Sequence, residues 1–325
     1  MKTNRQVNSI QKLTTRKERM SIPDTNKRCR NCGETIDLRE LGFVGQLAPF
    51  FLKRVFGIRL GAVRSPNRWK QMIRRVVRLP QSFLDRVNRP TALVEIQLCE
   101  ACSFVQTKIP FHEDAINRLY LDYREDSYNR ERIELEPTYA AMAADVGHGA
   151  VELETRTAAA TKFISAHMPV DENFTILDFG GADGKFMPRI EAKKFVFEIS
   201  NIQPIAGVTR LHSDAELGTY SLVQLAHVVE HVVEPLDLVK YVSTKVAPGG
   251  YLYVETPQEL SAEQRTLLKD GERMLTIHEH INSFCTESVT KLIEKAGLRM
   301  VAIEATPVDV GWAKAVHIRA LGQKA

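Results

Sequence analysis

From Asn173 onward, short apolar runs alternate with amphipathic stretches, and that alternation predicts strands of a parallel sheet covered by helices. Thr175-Ile176-Leu177-Asp178-Phe179 reads as a first strand running into a Gly-rich turn. Lys194 to Ile199 reads as a second, Ile205–Leu211 as a short third and Tyr220–Ala226 as a fourth. Val233 to Ala247 carries helical periodicity up to the stop at Pro248-Gly249-Gly250. Tyr251 to Thr256 is a fifth strand closed by Pro257, Glu287 to Ala296 a helix ended by Gly297, and Arg299–Glu304 and Val316–Ala320 late strands. The fold class is α/β, a Rossmann-like sheet with helices on both faces, over about residues 166–325.

Upstream the pattern changes. Residues 26–110 are bracketed by two Cys-x-x-Cys pairs, and 111–165 are polar and helix-prone, a helical connector with aromatics at Tyr120, Tyr123, Tyr128 and Tyr139. Residues 1–25 are polar and basic without an apolar core, which predicts a flexible arm and no secretory signal.

Charge divides the chain in the same place. Residues 1–89 hold 21 Lys+Arg against 6 Asp+Glu, a net of +15, while the rest carries −11. Residues 53–89 alone hold eleven basic side chains and one acid. Within them, Trp69, Met72, Ile73, Val76 and Val77 space a basic amphipathic helix over 68–87, and Leu47 to Leu52 upstream adds exposed-looking apolar bulk. Such an insert either docks on an anionic partner (a membrane surface, a lipid-linked glycan or, least favoured, nucleic acid) or packs on the acidic catalytic half. No stretch approaches the roughly 20 apolar residues of a membrane span, so the chain is expected in the cytoplasm, with the insert able to touch the inner membrane face.

A strand ending in an acid, then Gly-rich Gly180-Gly181-Ala182-Asp183-Gly184, then a helix, is a nucleotide-binding device: small residues admit the ligand to the backbone, and the helix amino terminus offers free N–H groups. Glu198 lies twenty residues beyond Asp178 at the end of the next strand, where a carboxylate can accept both ribose hydroxyls. His227-Val228-Val229-Glu230-His231 matches the H-x-x-E-H of inverted zinc peptidases. On a helix both His would share a face. In the competing geometry His227 ends the fourth strand and His231 opens the next loop or helix. The first reading lacks a third ligand, and the second fits its surroundings.

In order and spacing these segments resemble class I S-adenosylmethionine-dependent methyltransferases over roughly residues 150–322. The resemblance implies that Asp178, Phe179, Gly180, Gly181, Ala182 and Gly184 border the methionine end, Glu198 the ribose and Asp214 the adenine. His227 would lie near the cofactor and His231 would face the substrate. Ala182 stands where the family usually has Gly, a departure of little cost if its backbone angles are ordinary.

Cys29-Arg30-Asn31-Cys32 and Cys99-Glu100-Ala101-Cys102 present four sulfurs in two tight knuckles, the spacing of a closed structural Zn2+ site, separated by an unusually long 66-residue insert. Cys285 is left over and expected as a buried thiol. Knuckles ahead of such a methyltransferase are similar to the sugar C-methyltransferases of nucleotide-linked deoxysugars. Cys99 to Gln106 looks like that family's second knuckle, and Ile277-His278-Glu279-His280 like its Tyr-His-Glu-His loop. The resemblance implies general acid/base roles for Glu279 and His280, with His231. Ile277 replaces the family's Tyr, and the family's third domain is not seen before Ala325.

The expected activity is therefore methylation of a sugar or glycan, nucleotide-linked or part of a surface polysaccharide. An RNA or protein methyltransferase using the knuckles and insert for recognition is the alternative, and a non-catalytic assembly module the third.

Overall fold

Alternate residues of the central strands face opposite ways, and both sets are apolar, so both faces of the sheet must be covered. In the computed structural model this happens through two distinct cores. The structure describes residues 28–35, 43–58, 92–123, 125–198, 200, 202–269 and 275–325. The basic arm and the amphipathic helix expected over 68–87 lie outside these.

The larger sheet has seven strands: β4 (Thr175–Phe179), β5 (Lys193–Phe197), β6 (Val208–Leu211), β7 (Tyr220–Ala226), β8 (Val246–Pro257), β11 (Arg299–Asp309) and β12 (Lys314–Gln323). Their order is β11-β12-β8-β7-β4-β5-β6, parallel from β8 to β6 and antiparallel through the β11–β12 hairpin. Ile176, Val196, Leu222 and Tyr253 pack beneath α4 (Ala150–His167) with Phe163 and Ile164. Leu177, Phe197, Val223 and Val254 point to the other face, against α5 (Pro235–Ser243) and α7 (Thr286–Lys295).

The expected helix over Val233–Ala247 is shorter than its apolar pattern. It stops at Ser243, Thr244 and Lys245 turn, and β8 already begins at Val246, with Pro248-Gly249-Gly250 inside it.

A second, five-stranded sheet is ordered β10-β3-β2-β1-β9. Three strands are upstream: β1 (Phe43–Leu47), β2 (Ala92–Leu98) and β3 (Val105–Thr107). Both edges, β9 (Leu275–Ile277) and β10 (Asn282–Ser283), come from far downstream, between α6 (Ala262–Lys269) and α7. On this sheet lies α1 (Pro49–Phe56), with α2 (Glu113–Leu119) and α3 (Asp126–Leu135). The Leu47–Leu52 segment is not exposed: Phe50, Phe51 and Leu52 are the centre of this core, with Phe111, Leu119 and Tyr128.

Candidate active site and metal centre

The turn after β4 folds as a cradle, but the helix expected after it is not there: residues 180–192 run through turns and bends straight into β5. Gly180 and Gly184 take left-handed angles (φ 77° and 78°), and a Cβ on Gly181 would collide with the Asp178 carboxyl at 2.1 Å. Only glycine fits Gly181. Ala182 also has positive φ, 52°, so the condition under which alanine would cost little is not met: this residue is strained. Its amide donates to Glu198 Oε2 at 3.0 Å, while the Ser200 amide donates to Oε1 at 2.9 Å. Glu198 thus ties the end of β5 to the Gly-rich turn. Asp178 is fully buried, and burial pushes its carboxyl up to about 7 although Gln224 opposes this by hydrogen bonding. Its Oδ1 has no hydrogen-bond partner among the described residues. A buried, orphaned carboxylate oxygen beside a cradle that side chains cannot fill suits a cationic ligand. Asp214 sits in the turn after β6, its Oδ1 3.7 Å from Lys245 Nζ.

The segment 227–231 is not a helix with two His on one face. His227 follows β7 in a left-handed conformation (φ 57°), and only Val229–His231 makes a 3-10 turn. That disposes of the peptidase geometry. The turn packs on the cradle, since a Cβ on Gly180 would meet Val228 at 3.0 Å. Asn282 of β10 holds it from the other side, donating from Nδ2 to the carbonyls of Val229 (3.1 Å) and Val232 (2.6 Å).

This brings His231 and His280 together, ring centroids 4.7 Å apart and nearly perpendicular at 67°. Burial drives His231 down to about 4 against the pull of Glu230, with His280 assisting. Burial would lower His280 too, but Glu259 Oε1, 2.5 Å from its Nδ1, raises it to about 9. Near neutral pH the pair is therefore one neutral and one cationic imidazole. Tyr120 Oη donates to the Glu279 carbonyl (2.8 Å) and lies 2.7 Å from His231 Nδ1. A hydroxyl has one proton, so Nδ1–H of His231 donates to Tyr120 and the lone pair resides on Nε2. The Glu279 carboxylate is engaged away from the pair, by the Arg132 guanidinium and the Tyr128 hydroxyl.

A second polar cluster lies at the carboxyl ends of β7 and β8. Glu255 is directly opposite Arg319 in the β8–β12 ladder and is buried. Arg156 Nε on α4 donates to its Oε1 at 2.9 Å, and Tyr253 Oη to its Oε2 at 2.7 Å. Burial alone would raise its pKa, but Arg156, with His227 and His317, holds it well below the usual range.

The four knuckle sulfurs lie within 4.8 Å of one another. Cys29 Sγ–Cys102 Sγ and Cys32 Sγ–Cys99 Sγ are 3.7 Å apart, far beyond a disulfide of about 2.05 Å. Metal–sulfur bonds of about 2.3 Å give a tetrahedron edge of about 3.8 Å, which the spacing matches. Each knuckle closes the same way: Gly33 N to Cys29 O (2.9 Å) and Ser103 N to Cys99 O (2.7 Å), with Gly33 and Ser103 both left-handed. Asn31 Nδ2 is 3.5 Å from Cys102 Sγ and donates to the Ser288 carbonyl of α7 at 2.8 Å. Cys285 is half-buried, not buried as expected, because it caps α7, its N–H bonded to Ser288 Oγ.

Residues 147–303 match the family model described as a methyltransferase domain. Over these residues the chain carries a methyltransferase domain. Among curated proteins it is similar to the ubiquinone biosynthesis O-methyltransferase of Vibrio parahaemolyticus, 22% identical over 135 residues. The match covers 37% of this chain and spans 57% of that protein's length. Among solved structures it is similar to the 1,6-didemethyltoxoflavin-N1-methyltransferase of Burkholderia thailandensis (TM-score 0.41, 10% identity, 71% of this chain and 100% of that one). It is also similar to human N-acetylserotonin methyltransferase (TM-score 0.41, 16% identity, 67% of this chain and 60% of that one).

Around the His pair and the Glu255 cluster the residues that sequence reasoning missed are Tyr120, Arg156, Glu255, Glu259 and His317. A usable signal existed for two of them. Glu255 interrupts an apolar strand, and His317 stands in a strand whose neighbours Ile318, Ala320 and Leu321 are all core. Among the described residues no helix is long and apolar enough to cross a membrane.

Proposed function

We propose that this protein transfers a methyl group from S-adenosylmethionine to a hydroxyl-rich acceptor, a sugar or glycan, with His231 as general base and a structural Zn2+ on Cys29, Cys32, Cys99 and Cys102. The observation that carries the reading is the pairing of a neutral His231, its Nε2 3.9 Å from Glu230 Oε1, with a cationic His280, beside a turn packed against the Gly180 cradle. Bound in that cradle, S-adenosylmethionine supplies an electrophilic methyl group on a sulfonium. The buried Asp178 carboxylate would receive its ammonium group, and Glu198 its ribose hydroxyls.

His231 Nε2 takes the acceptor proton, and Tyr120 fixes the ring so that this nitrogen, not Nδ1, is the base. The His280 cation beside it keeps His231 unprotonated. Glu279 acts as a positioning residue: its carbonyl accepts from Tyr120 and its carboxylate anchors the loop on Arg132. The Zn2+ would close the knuckles and take no part in the chemistry. Without a cation, contact with Cys29 and Cys99 together with burial drives the Cys102 thiol upward, so four free thiolates would not coexist there.

The test is calorimetric binding of S-adenosylmethionine, followed by incubation with labelled donor and a panel of nucleotide-sugars and glycans. Glu198→Ala should abolish binding, and His231→Ala should spare binding while lowering turnover roughly 100-fold or more. A wild-type protein that binds no S-adenosylmethionine sinks the proposal. Transfer to protein or RNA, and not to any sugar, would overturn the acceptor assignment.

A further inference from the structure

The His227 ring lies between two carboxylates. Nδ1 is 3.2 Å from Glu230 Oε1, and Nε2 is 3.2 Å from Glu255 Oε1. His317 on β12 brings a third donor to the same place, its Nδ1 3.5 Å from that same Glu255 oxygen. The two imidazoles stand 4.7 Å apart at 67°. One ligand atom each from His227, Glu255 and His317 fall within 4.8 Å of one another. Around an ion with bonds of about 2.1 Å, neighbouring donors are roughly 3.0–3.4 Å apart, so the cluster already has nearly the size of a coordination shell.

Hydrogen bonding does not account for these groups. His227 Nε2 and His317 Nδ1 are buried, and neither makes an aligned hydrogen bond despite the nearby carboxylate. His317 is only 3% exposed, so water does not serve it freely. Charge is also short. Glu152, Glu230 and Glu255 are buried, against two buried guanidiniums, Arg156 and Arg319. Arg156 is shared between Glu152 and Glu255, and Arg319 between Glu255 and the half-exposed Glu304. Glu230 meets His227, His231 and the Thr256 hydroxyl. The His280 cation also lies within 4.8 Å of Glu230 but is shared with Glu259, so a further positive charge beside Glu255 would be favourable, because an unpaired buried carboxylate is strongly unfavourable.

We propose that His227, Glu255 and His317 bind a divalent transition-metal ion at the carboxyl ends of β7 and β8, where ligands enter sheets of this kind. Glu230 Oε1, 3.2 Å from His227 Nδ1 and itself without an aligned hydrogen bond, would hold the proton on that nitrogen and so leave the Nε2 lone pair for the ion, the usual support for a metal-bound imidazole. Arg156 and Arg319 hold Glu255 in place from outside. Two imidazoles and one carboxylate favour an ion such as Zn2+, Fe2+ or Co2+ over Mg2+, and they leave coordination positions open. Two neighbouring oxygens of a sugar acceptor would fill those positions, and the ion would make a bound hydroxyl more acidic. That role rests on the proposed methyl transfer. The site itself does not.

The experiment uses the full chain with zinc on its thiolates and titrates Co2+, read by absorption and calorimetry. The expected result is one further equivalent whose spectrum lacks thiolate charge transfer. His317→Gln should remove that equivalent while leaving the zinc content and circular dichroism unchanged, and Glu230→Gln should weaken it roughly 10–100-fold. No second equivalent on the wild-type protein overturns the proposal. A second equivalent that survives His317→Gln, or that carries thiolate charge transfer, overturns it as well. S-adenosylmethionine binding, measured separately, shows whether the methyl-transfer reading fails independently of the metal.

Discussion

Glu259→Gln isolates the charge that sets the His pair apart. In the wild-type protein His280 is raised from the ordinary 6.5 to about 9, because Glu259 outweighs a burial that acts the other way. At 1.36 kcal/mol per pH unit that difference corresponds to about 3 kcal/mol. Both side chains keep 28–29% of their exposure, so screening by water reduces it to roughly 1–2 kcal/mol. The folded-state value lies above the unfolded one, so the contribution is complete below about pH 6.5 and is lost as pH rises through about 9. Without the carboxylate, burial is opposed only by the smaller pulls of Glu230 and Glu279, so the His280 value falls. Urea unfolding of both proteins across this window is the assay. The wild type should lose roughly 1–2 kcal/mol more than Glu259→Gln between the two ends, and equal losses would refute the reasoning. In the variant His280 loses its charge at a lower pH, so His231 also protonates more readily and the acid limb of any activity profile moves up.

Ala182→Gly should stabilise the protein by about 1 kcal/mol, read as a higher melting temperature, because φ of 52° penalises a Cβ there; an unchanged or lower value would show that Ala182 is not strained. Chelation should unfold the whole protein and not merely the knuckles: structural zinc contributes roughly 10–16 kcal/mol against a total stability of about 5–15. The four cysteines share one core with Leu177, Val223 and Val254, and a zinc-free protein with native near-ultraviolet dichroism would contradict this. S-adenosylmethionine should bind more tightly as pH rises through about 7. Its ammonium group favours the charged form of Asp178, whose carboxyl burial has raised to about that value, so binding releases a proton. Calorimetry in buffers of different ionisation enthalpy measures that proton, and a heat independent of buffer would count against it.

The parts of the fold that can be read from the sequence are those whose partners impose one uniform demand. Thr175–Phe179 and Tyr220–Ala226 are central strands buried on both faces, so each is an almost unbroken apolar run with sharp ends. Val233–Ala247 misleads because one apolar stretch serves a helix, a turn and the start of a strand, and periodicity alone does not mark the change. Leu47–Leu52 reads as exposed because Phe111, Leu119 and Tyr128, which cover it, lie some sixty or more residues on. The Gly-rich turn is recognisable from composition, but the left-handed angle of Ala182 comes from how Glu198 grips its amide, a tertiary fact. The Arg156, Glu255 and His317 cluster is assembled only by the strand order β7-β8-β12 and by α4 crossing beneath it.

The long insert between the Cys pairs and the downstream His loop turn out to belong to one mechanical chain. Cys99 N bonds to Phe104 O, which sets the start of β3 one residue later. In β3, Val105 pairs with Ser283 and Gln106 with Asn282, so the second knuckle fixes β10. Asn282 then clamps the carbonyls of Val229 and Val232, between which His231 stands. On the other edge, Gly45 to Leu47 of β1 pair with Leu275 to Ile277, immediately before His278. The segment 278–281 is therefore strung between the two edges of a sheet whose middle strands are all upstream. A cluster of four sulfurs that joins Cys29 to Cys102 ties both ends of the insertion to α7, and β1 within the insertion fixes β9. The knuckles and β1 together thereby help to place His231 and His280, while the Gly-rich turn is set by β4, β5, Glu198 and the packing of Val228.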